Sequence, residues 1–206
     1  MLYDISPLIG RSLAVWPGDT PLAREVLLDI ANGHNITLST LRATVHLGAH
    51  ADAPSHYGAG APDIASVPVE RYIGPCEVMR VAVEPGGLIR PAMLPRSVSA
   101  PRLLLATGSY PDPGVFNHDF AALTPELVDH LHAAGVSLVG IDTPSLDPFA
   151  SKDLAAHQRC LAHDMAILEG LVLRDVPEGR YELIALPLRL LGFDASPVRA
   201  VLRSSR

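Results

Sequence analysis

Aromatic residues make up only 5% of this 206-residue chain, and charged residues only 18%. A core must therefore be built from aliphatic side chains. The 48% hydrophobic content is far above that of a disordered polypeptide. Lysine and arginine form no run or stripe and the net charge is −6, which excludes nucleic acid and anionic membranes as natural partners. No apolar run approaches the ~20 residues a membrane-spanning helix requires. The opening M-L-Y-D-I-S-P lacks a basic region followed by an apolar stretch, so no secretory signal is expected and a cytoplasmic location is the default. The two cysteines, Cys76 and Cys160, lie far apart and outside any C-x-x-C spacing, which predicts a pair of buried free thiols. There is no internal repeat, low-complexity segment or linker. Residues 1–206 are expected to form a single domain, long enough to bury a core without disulfides.

Several catalytic signatures are missing too. The sequence has no G-x-S-x-G nucleophile elbow, no phosphate-binding Walker loop and no G-x-G-x-x-G fingerprint. What it has instead is 19 prolines and 16 glycines spread along its length, a pattern of short elements joined by tight turns. Alternating apolar residues predict a strand over 35–46, bulged near Thr40. Further strands are expected over 76–83, 103–106, 136–141, 181–186 and 198–202. Thr124-Pro125-Glu126 is a helix start, with Leu127, Val128 and Leu131 on the apolar stripe and Gly135 at the end. Ser151 is expected to cap a second helix carrying Leu154, His157 and Leu161. Strands outnumber helices in an irregular order, so the class is a mixed α/β domain with few helices.

The chemistry concentrates in H-L-G-A-H-A-D-A-P-S-H-Y, residues 46–57. His46, His50, Asp52 and His56 fall within eleven residues, and mixed imidazole and carboxylate is the usual donor set for Zn²⁺, Mn²⁺ or Fe²⁺. Gly48 and Pro54 favour a strand end and loop over a helix. Leu47 stands where an H-E-x-x-H metalloprotease helix needs glutamate. His46, His50 and Asp52 read as ligands, and His56 as a fourth ligand or a free acid/base. Glu169, the one carboxylate in M-A-I-L-E-G-L-V-L, must be protonated, paired or metal-bound if buried; the alternative is an edge-strand residue facing water. Together with His157 it could complete a second half-site. Trp16, the only tryptophan, precedes a Pro17-Gly18 turn, placing it at a pocket edge or in the core. His34, His118, His130, His132 and His163 carry no such pattern; His130 and His132 sit at a helix end, where positive charge suits the dipole.

With these residues in view, the chain resembles the bacterial kynurenine formamidases, metal-dependent arylformamidases of the cyclase-like amidohydrolase family. The resemblance is carried by L-Y-D-I-S-P at 2–7, V-W-P-G-D-T-P at 15–21, the histidine-rich segment at 46–57, V-G-I-D-T-P-S at 139–145, H-D-M-A-I-L-E-G-L at 163–171 and Y-E-L-I-A-L-P-L at 181–188. It spans almost the whole chain. Ala49 stands where the wider family's H-x-G-T-H-x-D-x-P-x-H has threonine, a variation associated with the formamidase branch. The resemblance implies a mixed β/β/α, swivelling-domain-like fold and a homodimer. It also implies two divalent metal ions per subunit, zinc foremost: His46, His50 and Asp52 would hold one, with Asp52, His157 and Glu169 on the second. His56 would be the proton donor and acceptor, and Trp16 would line the aromatic substrate. The implied reaction is hydrolysis of N-formyl-L-kynurenine to L-kynurenine and formate in tryptophan degradation, with water activated by the cations as nucleophile. The rival within the family is an isatin-type cyclic-amide hydrolase. A metal-binding module without turnover is the rival outside it, and a histidine spare beyond the ligands argues against that reading.

Overall fold

The computed structural model describes residues 1–204, among which there are thirteen strands and two α-helices. The strands run β1 (Leu2–Asp4), β2 (Ala23–Leu28), β3 (Leu38–Arg42), β4 (His50–Asp52), β5 (Ile73–Arg80), β6 (Leu88–Ile89) and β7 (Arg102–Ala106). They continue with β8 (Ala122–Leu123), β9 (Leu138–Ile141), β10 (Ala166–Glu169), β11 (Gly179–Ile184), β12 (Ala195–Pro197) and β13 (Val201–Ser204). The helices are α1 (Pro125–Ala133) and α2 (Ala155–Ala162). Nine strands form one sheet in the order β1-β13-β11-β5-β7-β9-β10-β4-β12. Its middle, β5 to β10, is parallel, and both flanks are antiparallel. The mixed α/β class with few helices is the one the sequence predicts.

Successive side chains on a strand point to opposite faces, and here they feed two separate cores. Leu103, Leu105, Val139, Ile141 and Ile167 pack under α1 and α2 with Leu127, Leu131 and Cys160. Their neighbours Leu104, Ala106, Leu138 and Leu168 face the other core. There they meet Ala49 and Ala51 beside β4 and Leu202 of β13. The two flanks of the sheet therefore share one core, and the sheet must curl to close over it. Backbone bonds clamp the closure: Val198 N–H donates to Ala49 O, Ile5 N–H to Ala200 O, and Val172 N–H to Ile5 O. The small side chains of Ala49, Ala51 and Ala53, all fully buried, allow that approach.

The α1 signals act as read: Thr124 Oγ1 accepts from Leu127 N–H, Pro125 opens the helix, and Gly135 follows it with φ 86°. Three expectations need correction. The strand over 35–46 shrinks to Leu38–Arg42, which pairs only with β2 in a two-stranded hairpin lying wholly at the surface. Ile36, Leu38 and Leu41 are exposed, so their alternation marks no core face. Second, Ser151 does not cap α2; its Oγ accepts from Leu154 N–H ahead of the helix. The first amides of α2, Ala156 N–H and His157 N–H, are received by Asp147. Third, the expected strand over 198–202 starts only at Val201, as β13; Val198–Ala200 is a crossing that joins it to β12. Cys76 and Cys160 are buried free thiols, and burial pushes both up to about 12. No helix among the described residues is long and apolar enough to cross a membrane.

Candidate metal centre

Three parts of the chain deliver the predicted ligands to one place. His50 and Asp52 sit two residues apart on β4 and so share a face; β4 is a short strand, within the strand end and loop that the sequence predicts. Beside β4 runs β10, whose Glu169 is the direct cross-strand partner of His50. β10 is interior, between β9 and β4, which rules out an edge glutamate facing water. His157 comes from α2 and His46 from the irregular segment between β3 and β4. The end of β10 needs Gly170: its φ is 65°, and a Cβ there would stand 2.2 Å from the carbonyl oxygen of Gly48. Any side chain would push Glu169 away from the 48–50 turn.

Within this cluster His50 Nε2 lies 3.4 Å from Asp52 Oδ1 and 3.4 Å from Glu169 Oε2. On the other side His157 Nε2 lies 3.4 Å from Asp52 Oδ2 and 3.2 Å from Glu169 Oε1. Each carboxylate thus turns one oxygen toward each histidine. His46 Nδ1 joins the first side, 3.1 Å from Asp52 Oδ1. Two groups of three donors stand within coordinating reach of one another, His46–Asp52–His56 and His50–Asp52–Glu169. His157 touches both carboxylates without belonging to either group.

The residues fit divalent cations. Asp52 Oδ1, Asp52 Oδ2 and His50 Nε2 are fully buried and have no hydrogen-bond partner, a costly arrangement for polar atoms unless a cation receives them. Spacing agrees: metal bonds of ~2.0–2.1 Å place neighbouring donors of a tetrahedron about 3.3–3.4 Å apart. Charge agrees as well. Burial works to raise Asp52, yet the His157 and His46 rings beside it hold it well below the usual carboxylate range. Glu169 is raised by burial and by the Asp52 charge, and the neighbouring His157 and His50 rings still bring it below its ordinary value. Burial lowers His46, but Asp52 and Asp194 lift it to about 9. His157, likewise opposed by burial, is held well above its ordinary value by Asp147, Asp52 and Glu169. Two buried anions pull positive charge into their midst, whether as protons or as metal.

Two contributors escape sequence reasoning. Asp147 accepts from His157 Nδ1 at 2.6 Å while capping α2 with the same carboxylate, so it fixes the ring that faces the cluster. Asp194 lies 3.0 Å from His46 Nε2 and 3.3 Å from His56 Nδ1. Neither stands in a motif; both become neighbours of the histidines only through the fold. His56 itself follows β4 in a single 3-10 turn, Pro54–His56.

Above the cluster opens a cavity of ≈ 580 Å³, lined by His46, His50, His56, His157 and Glu169 at one end. Trp16, Tyr110 and Phe116 line it as well. Trp16 packs 5.0 Å from Phe149 and edge-on, 5.4 Å, against Phe116. Trp16 therefore sits at the pocket, the first of its two expected placements.

Similarity to known proteins agrees with this layout. The chain is 27% identical to a potential metal-dependent hydrolase with cyclase activity, with a TM-score of 0.83 over 100% of this chain and 99% of that one. It is also 27% identical to a predicted metal-dependent hydrolase from Bacillus stearothermophilus, with a TM-score of 0.82 over 98% and 97%. Isatin hydrolase A from Labrenzia aggregata, 18% identical, shares the fold with a TM-score of 0.81 over 98% and 93%. The Cyclase family model matches residues 3–148, most of the chain and including the whole histidine-rich segment; the protein belongs to the cyclase family.

Proposed function

We propose that this protein is a metal-dependent amide hydrolase that cleaves N-formyl-L-kynurenine to L-kynurenine and formate. One observation carries the reading. Two buried carboxylates, each shared between opposing histidines, lie at a cavity that Glu169 and the histidines line together with Trp16, Tyr110 and Phe116. His46, His50 and Asp52 would hold one cation, and Asp52, His157 and Glu169 a second, zinc foremost. Bound there, divalent ions supply an acidified water molecule and a polarised amide carbonyl.

The protein's own groups account for the rest. Hydrolysis adds water's oxygen to the formyl carbon and breaks the C–N bond, and the departing arylamine nitrogen must gain a proton. His56 borders both cluster and cavity, and its imidazole is placed to carry that proton. Trp16, Tyr110 and Phe116, which line the cavity, offer the aryl ring faces and edges to pack against. Among the described residues lining the cavity there is no lysine or arginine, whereas Asp19 lies there on the turn that Trp16 O closes with Asp19 N–H. That charge balance suits a substrate arm ending in an ammonium group and disfavours an anionic aryl amide.

The same reading includes a homodimer. The β2–β3 hairpin and its connecting turn leave Leu27, Ile30, Leu38 and Leu41 exposed, and a second copy of the chain would cover such apolar side chains. Light scattering after gel filtration should give twice the 21.9 kDa chain mass.

The deciding assay measures formate release by the zinc- or manganese-loaded protein from N-formyl-L-kynurenine and N-formylanthranilate, and ring opening of isatin to isatinate. The expected order is formylkynurenine first, the anionic formylanthranilate well behind and isatin last. Preferential ring opening of isatin would replace this substrate, and no release from any formyl arylamine would reject amidase activity.

A further inference from the structure

Asp194 is the one acidic residue that touches two histidines of the site without belonging to the buried carboxylate pair. Its backbone position is fixed from three sides. Asp194 O accepts from Ala53 N–H at 2.8 Å, Phe193 O accepts from Ile64 N–H at 3.0 Å, and the next residue, Ala195, pairs with Asp52 in the β12–β4 ladder. The side chain thus starts from a frame shared with the ligand strand. A single oxygen, Oδ2, then meets both His46 Nε2 at 3.0 Å and His56 Nδ1 at 3.3 Å. The two rings lie 4.2 Å apart, centre to centre. A lone surface Asp–His pair is worth little. One oxygen clasping two rings at the mouth of a cavity has a more specific consequence.

Each imidazole has two nitrogens, and the hydrogen bond made by one decides what the other can do. His46 turns Nε2 to Asp194 and Nδ1 to Asp52. With its proton on Nε2, His46 keeps the Nδ1 lone pair for a cation. His56 turns Nδ1 to Asp194. With its proton there, Nε2 keeps the lone pair needed to accept a proton and then give it up. Carboxylates behind metal-bound or catalytic histidines commonly fix ring orientation and tautomer in this way. Here both jobs fall to one side chain.

We propose that Asp194 is a positioning residue that sets the tautomer of His46 for metal binding and of His56 for proton transfer at the same time. The proposal rests on the amidase reading for its second half, and the test separates the two. The zinc-loaded protein is labelled with ¹⁵N-histidine and studied by long-range ¹H–¹⁵N correlation above pH 7.5, as wild type, Asp194→Asn and Asp194→Ala. The wild type should show His56 as the Nδ1–H form and His46 as the Nε2–H form. In Asp194→Ala, His56 should revert to the Nε2–H form favoured in water. Asp194→Asn, whose amide oxygen still accepts, should stay nearer wild type.

Alongside, Co²⁺ affinity read from its visible absorption should weaken ~10–100-fold in Asp194→Ala, and kcat on the formyl arylamide should fall with KM little changed. His56 in the Nε2–H form in wild type, or tautomers unmoved in Asp194→Ala, overturns the proposal. So does loss of a whole metal equivalent in Asp194→Asn with tautomers intact, because Asp194 would then be a ligand. Tautomers that move as stated in a protein inert toward every formyl arylamide would sink the amidase reading alone.

Discussion

The two sides of the histidine cluster differ in one measurable respect, access to water. Asp52, His157, His50 and Glu169 have side chains only 1%, 3%, 4% and 4% exposed. His46, His56 and Asp194 are 17%, 34% and 48% exposed. The inner four are held by sheet register and by Asp147, and three of their polar atoms lack any partner. Such a site is shielded from bulk water and its two negative charges are costly to leave uncompensated, so it is suited to fixed cations. The outer three are hydrogen-bonded to one another beside the cavity mouth, where a ring can trade protons with water and substrate. Charge storage and proton traffic are thereby separated within one cluster, with His46 at the boundary.

Removing His56 tests that division most severely. His56→Ala should lower kcat on N-formyl-L-kynurenine by ~10²–10⁴-fold and leave metal content unchanged. Loss of metal in this variant would move His56 into the ligand set and erase the boundary.

A smaller effect follows from pH in the chelated protein. His46 and His157 are raised in the folded state, His46 to about 9. A group raised on folding stabilises the fold fully below its unfolded value, ~6.5 for histidine, and that contribution disappears as pH climbs through the folded value. The melting temperature of chelated protein should therefore decline from pH 6.5 to beyond 9. With zinc present the decline should vanish, since deprotonated ligands bind the ion more tightly. A flat profile without metal would show that the inner anions do not draw protons as described.

The smallest change is expected at Trp16. Trp16→Ala should raise KM for the formyl arylamide ~2–10-fold, the range of one aromatic contact of ~0.5–1.5 kcal/mol, with kcat nearly unchanged. A comparable loss in kcat would mean that Trp16 positions the reacting amide instead of the ring.

The inner side was the more legible in sequence. His50 and Asp52 at spacing two, and a lone Glu169 in an apolar run, are local signals of a shared strand face and a buried acid. Register then made His50 and Glu169 neighbours, as a helix brought His157 to them. The outer side was half legible. His46 and His56 lie in the same motif, but Asp194 is 138 residues from His56 and reaches it only because the chain crosses back beside β4. Asp147 was hidden for a similar reason: Ser151 offered a local cap, and the actual cap came from a turn further upstream. The hairpin misled through exposure, because alternation of Ile36, Leu38 and Leu41 reads alike whether a strand faces a core or leaves its apolar side chains at the surface.

Equilibrium dialysis against zinc, with metal counted per chain in wild type and Glu169→Gln, bears most directly on the inner cluster as a cation site. The account predicts two ions in wild type, and fewer or far weaker ones in the variant. Two tightly bound ions in Glu169→Gln, or none in wild type, would contradict it.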